Sequence, residues 1–98
     1  MQIAASGFVE ADLDAIAEYI ACDNPNRAVT FLEEIRAEIR TIARNPRLYR
    51  LRPEIGEDVR MGVVGNYAIL FRIAGRGVRI ERVVYGGRDL PALLSEEE

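Results

Sequence analysis

The hydrophobic period changes once along this 98-residue chain, and that change restricts the fold more than any other feature. From Val9 to Ile42 the apolar residues return every three or four positions: Val9, Leu13, Ile16, Ala17 and Ile20, then Ala28, Leu32, Ile35, Ile39 and Ile42. This spacing draws an apolar face on each of two helices. From Val59 the period drops to two. Val59, Met61 and Val63 alternate with Arg60 and Gly62, and Tyr67, Ile69, Phe71 and Ile73 alternate with Ala68, Leu70 and Arg72. A third apolar run, VRIERVVY, follows at 78–85. Three strands are predicted, turned at Gly65-Asn66 and Gly75-Arg76-Gly77, and so an antiparallel meander. The helical hairpin is the element available to cover its apolar face.

Local signals set the boundaries. Ser6 is placed to cap a first helix over 8–22, with Glu10 and Asp12 at its positive end. Asp23 or Asn24 caps the second, Pro25 fits its first turn, and Asn45-Pro46 stops it at about Arg44. The connection is so short that the two helices must run antiparallel. QIAA at 2–5 reads as a short first strand, and RDLPALL as a final helical turn with Asp89 as its cap and Pro91 in its first turn. Gly86-Gly87 is expected to leave the last strand with unusual backbone angles. The expected class is α+β: a short N-terminal strand and an antiparallel helical hairpin packed on a three- to four-stranded, mainly antiparallel sheet. One domain spans 1–95, followed by the acidic tail Glu96-Glu97-Glu98.

Composition removes several function classes. There is no histidine, so neither a Ser-His nor a Cys-His nucleophile nor a histidine metal ligand exists. The glycines are spaced as turns and bulges and form no phosphate loop, so no cofactor, metal or catalytic residue is assigned. The single cysteine, Cys22, sits at an apolar helix end and reads as a small core residue. It precludes an intrachain disulfide, and MQIAAS lacks the features of a secretion signal. No apolar run approaches the roughly 20 residues that span a bilayer. A cytoplasmic protein without membrane contact is expected.

All 13 basic residues are arginine. Arg36, Arg40 and Arg44 lie on one helical ridge, and Arg47, Arg50 and Arg52 continue the series. This is either a solvated face partly neutralised by Glu33, or a ridge that meets an anion, whether acidic protein or phosphate. Arg72 and Arg82 interrupt apolar strands. Each must reach solvent or a carboxylate, with Glu81 and Asp89 as candidate partners. They either line a sheet face left open by the helices, where a partner docks, or make structural ion pairs. The net charge of -3 argues against a general nucleic-acid binder, and no sequence-specific nucleic-acid contact is expected of this chain alone.

Three stretches in order, ADLDAIAEYIACDNPNRAVTFLEEI at 11–35, NPRLYRLRPEI at 45–55 and ERVVYGGRDLPALL at 81–94, resemble the ParE branch of the ParE/RelE toxins of bacterial type II toxin-antitoxin systems. The likeness covers nearly the whole chain. It implies a growth-arresting, plasmid-stabilising toxin that inhibits DNA gyrase by binding it, encoded beside a ParD-like antitoxin whose disordered segment folds onto the toxin. Tyr85, Arg88 and Asp89 are the candidate target contacts. Arg60, Tyr67, Arg72, Arg82, Ile16 and Ile20 are the candidate antitoxin contacts. The alternative is the RelE branch, a ribosome-dependent messenger RNA endoribonuclease, in which Tyr85 and Arg88 would serve as acid and phosphate clamp. This chain departs from that pattern in having no lysine or histidine, Val63-Val64 before the turn where RelE-like proteins tend to carry a basic residue, and leucines in its last segment. A detoxified relative that keeps only antitoxin binding is a third reading, raised by the acidic pI of about 5.0.

Overall fold

A computed structural model describes residues 2–95; the acidic tail at 96–98 lies outside the described residues. The elements run β1 (Ile3–Ala5), α1 (Val9–Ala21), α2 (Pro25–Arg44), a 3-10 turn (Pro46–Leu48), β2 (Arg60–Val64), β3 (Tyr67–Ala74), β4 (Gly77–Tyr85) and α3 (Leu90–Ser95). They build an α+β fold in which α1 and α2 pack on a four-stranded mixed sheet of order β1-β4-β3-β2. Strands β2, β3 and β4 form the expected antiparallel meander, and β1 joins its edge in parallel to β4, Ile3 opposite Val78. Gly65 and Gly75 have φ of 57° and 58°. Positive φ at the first central residue alone is what a two-residue II′ hairpin turn demands, and only glycine adopts it without strain.

Asn24 rather than Asp23 caps α2. Its side chain accepts from the Arg27 N–H at 3.1 Å, and Pro25 occupies the position where a missing donor costs nothing. Ser6 does not cap α1 as expected. Its Oγ accepts from the Phe8 N–H and donates to the Glu81 carbonyl, so this buried serine splices the end of β1 to β4. Cys22 is exposed, contrary to the core position expected: it is the residue that ends α1 and lies off the Val9, Leu13 and Ile16 stripe that the helix buries.

The sheet is covered on both faces. Val9, Leu13 and Ile16 of α1 and Phe31, Ile35 and Ile42 of α2 meet Ile69, Phe71, Val78, Ile80 and Val83. Gly62 lets α2 approach β2, for a Cβ there would lie 3.0 Å from the Ile42 Cδ1 atom. The opposite face, expected to be open, carries a second core. Ile55, Val59, Ala68, Leu70 and Val84 pack there against Leu90, Leu93 and Leu94 of α3. In β3 the predicted alternation holds, with Ile69 and Phe71 toward the hairpin; along 59–63 the faces are exchanged, Val59 and Met61 turning to the second core and Val63 to solvent.

Tyr49 links the loop to α2 by donating its O–H to Glu38 Oε2 at 2.7 Å. Burial and that carboxylate push its phenol from 10.0 up to about 12. Below pH 10 folded and unfolded chains are both protonated and the contribution is whole; from 10 to about 12 only the unfolded chain ionises, and stability falls. Urea unfolding across that window should show a decline that Tyr49→Phe reduces. Tyr67, also raised by burial, adds to the same decline and leaves a remainder in the variant.

Candidate functional site

Arg82, read as either a docking residue on an open sheet face or half of a structural ion pair, takes the second role and is buried at the edge of β4 beyond the reach of β1. A β-bulge at Leu70/Phe71 inserts an extra residue in β4, so that Ile80 and Val83 share the helix face three positions apart. Arg82 Nε and Nη2 donate to Asp12 Oδ2 and Oδ1 at 2.8 and 2.9 Å, and the Val83 N–H donates to the same Oδ2 at 3.0 Å. The Phe8 ring covers the guanidinium at 4.7 Å. The partner is Asp12 of α1, not Glu81 or Asp89. Arg72 meets the expected Glu81, at 3.0 Å, on the second-core side, and Arg79 holds the other oxygen of that buried carboxylate. Arg60 lies at the far edge strand with its guanidinium on the Tyr49 carbonyl. These three arginines therefore do not form one rim.

The remaining candidates do converge, except Asp89. Asp12, Ile16, Tyr67, Val83, Tyr85 and Arg88 line one groove between α1 and the end of the sheet. It continues into a wider hollow walled by Tyr19, Ile20, Asn66, Tyr67 and Tyr85. Register explains the meeting: Tyr67 opens β3 directly opposite Tyr85, which closes β4, and their rings meet edge to face at 6.2 Å. Phe31 of α2 supports Tyr67 from behind, 5.5 Å between centroids. Burial first, then Tyr19 and Tyr85, push the Tyr67 phenol above the usual tyrosine range. Asp89 is occupied as the cap of α3, its Oδ1 accepting from the Ala92 N–H.

Gly86-Gly87 is shaped by proximity rather than by unusual angles, since neither residue has positive φ. The Gly86 N–H donates to the Asn66 carbonyl at 2.9 Å and ties the exit of β4 to the β2–β3 turn. At Gly87 a Cβ would lie 3.2 Å from Tyr85 Cδ2 and Cζ and closer still to Cε2. Gly87→Ala should therefore swing the half-exposed Tyr85 ring off its seat while changing stability by less than about 1 kcal/mol. Near-ultraviolet circular dichroism beside urea unfolding checks this; a large loss of stability would contradict it.

Tyr19 is the groove residue that sequence reasoning missed. It stands one position off the apolar stripe of α1 and is 76% exposed, so the helical period assigns it to solvent. A large aromatic ring at such a position, beside Ile20, was the signal available. Among the described residues no group of acidic or cysteine side chains is arranged to hold a metal.

With this geometry in place, the family model described as "ParE toxin of type II toxin-antitoxin system, parDE" matches residues 6–90. The chain belongs to the ParE toxin family. A solved chain from the "Chromosomal ParDE TA system from P. aeruginosa" shares the ParE fold with a TM-score of 0.74 and 23% identity, over 87% of this chain and 95% of that one. No curated protein matches the sequence. The match covers α1, α2, the meander and the Tyr67–Tyr85 groove of this ParE chain. Among its described residues no helix is long and apolar enough to cross a membrane.

Proposed function

We propose that this ParE-family toxin arrests growth by binding DNA gyrase, without bond-breaking chemistry, and that a ParD-like antitoxin neutralises it by occupying the same groove. The observation that carries the reading is the composition of that groove: exposed tyrosines at 19 and 85, half-buried Tyr67 and Ile20, and Arg88 at the rim. Tyrosine and arginine around an apolar floor are the residues that dominate binding energy at protein interfaces. A tyrosine whose phenol is raised is a poor base at neutral pH, and Asp12, the carboxylate within reach, has both oxygens committed to Arg82 and Val83. Both considerations favour binding over RNA cleavage.

On this reading the antitoxin surface centres on Ile20, Tyr19 and Tyr67 above buried Ile16, while Arg72 and Arg82 serve the fold. Target and antitoxin compete for one place. Tyr85→Ala and Arg88→Ala should each weaken inhibition of gyrase supercoiling by roughly tenfold or more while melting as the parent does. Full inhibitory strength in both variants would remove the groove from the proposal.

A further inference from the structure

Carboxylate partners are distributed unevenly among the arginines. Arg27, Arg52, Arg72, Arg79 and Arg82 form ion pairs. Arg36, Arg40, Arg44, Arg47 and Arg50 are all exposed, and among the described residues none of them forms one. The neutralisation of Arg36 by Glu33 expected from their spacing is not formed. An unpaired row alone describes a solvated face. Its C-terminal end differs, because Leu48, between Arg47 and Arg50, is 84% exposed and Leu51, just after Arg50, is 45% exposed. Leu51 shares a hollow with Arg47, Arg60, Ile73 and Asp58, so the leucine is part of a formed surface.

We propose that this surface docks an acidic peptide segment of a partner chain in which aspartate or glutamate alternates with leucine-class side chains. Charge complementarity selects the carboxylates, since the stretch is strongly basic in a chain of net charge -3. Leu48 and Leu51 select the apolar positions. Nucleic acid fits less well. Phosphate contact gives the leucines nothing to bury, and base stacking needs free aromatic rings, whereas Tyr49, the ring in this stretch, is half-buried and bonded to Glu38. The surface is separate from the tyrosine groove. Phe31 marks the groove end of α2, and Arg44 lies 13 residues on, about 20 Å along the helix. The inference goes beyond the gyrase reading and does not depend on it, because its readout is peptide binding by the isolated chain.

The test is selection of a random dodecamer display library on the immobilised full chain, followed by fluorescence anisotropy with synthetic copies of the enriched peptides. The expected pool carries an excess of carboxylates with interspersed leucine, isoleucine or phenylalanine. Arg47→Glu/Arg50→Glu should weaken such peptides by at least about tenfold and Leu48→Ser several-fold, whereas Tyr85→Ala should leave them unchanged. These substitutions are at exposed positions, and circular dichroism verifies that each variant folds. A pool without acidic excess, no enrichment, binding that survives the double charge reversal, binding lost on Tyr85→Ala, or tighter binding of a 20-nucleotide single strand than of any peptide would each overturn the proposal.

Discussion

Asp12→Ala should destabilise the protein by about 3–5 kcal/mol, a large part of the roughly 5–15 kcal/mol available to a small domain. Asp12 and Arg82 side chains are each only 9% exposed, so the substitution removes a bidentate carboxylate from a guanidinium largely shielded from water. It also deprives the Val83 N–H of its acceptor at the one part of β4 that β1 does not pair. Replacing both charges should cost far less than replacing one. In Asp12→Leu/Arg82→Met two apolar side chains fill similar volume and no buried ion remains, so most of the loss should return. Urea unfolding of the three proteins measures the difference. A single variant within about 1 kcal/mol of the parent would mean that the pair is not buried as described.

The second large effect is expected at Gly77. A Cβ there would lie 2.7 Å from the carbonyl carbon of Gln2 and closer still to its oxygen. The obstacle is backbone, which cannot rotate aside as a side chain can. β1 must move away from β4, weakening the bonds from the Val78 N–H to the Gln2 carbonyl and from the Ser6 N–H to the Ile80 carbonyl, 3.0 and 2.9 Å. Gly77→Ala should cost about 2–3 kcal/mol, and the Ser6 and Val78 amides should lose protection against hydrogen exchange before the rest of the sheet. Gly7→Ala, with nothing within 4 Å of the added carbon, is the control, expected within about 0.5 kcal/mol of the parent. Equal effects at the two positions would contradict the packing of β1.

The change of period carried the order of elements, because helices and strands that bury one face must repeat at their own spacing. Asn24-Pro25 and the two glycine turns were legible for the same reason: few residues satisfy those backbone positions. What stayed hidden depended on long-range placement. The bulge opposite Leu70/Phe71 has no compositional mark, yet it sets which residues of β4 face the helices and so the fate of Arg82. The second core needed α3 to fold back under the sheet, and a six-residue segment reads equally as a loose terminal turn. In the groove, Tyr67, Tyr85 and Arg88 were found as residues of the right chemistry at strand ends. Their meeting with Ile16 and Ile20 came from sheet register and helix docking, which no local pattern contains. Arg60 was chosen by charge, and the fold turned it to the Tyr49 carbonyl; Arg72, which interrupts an apolar strand, took the ion pair with Glu81 that was one of its two readings.

The most direct measurement is supercoiling of relaxed plasmid by purified gyrase with and without this protein, run beside ribosome-dependent cleavage of messenger RNA on the same preparation. Supercoiling should be lost while the RNA stays intact. Cut RNA with normal supercoiling would contradict the gyrase reading, and would require arginine and tyrosine to perform the proton transfers, since among the described residues the one carboxylate lining the groove, Asp12, is bonded to Arg82 and Val83.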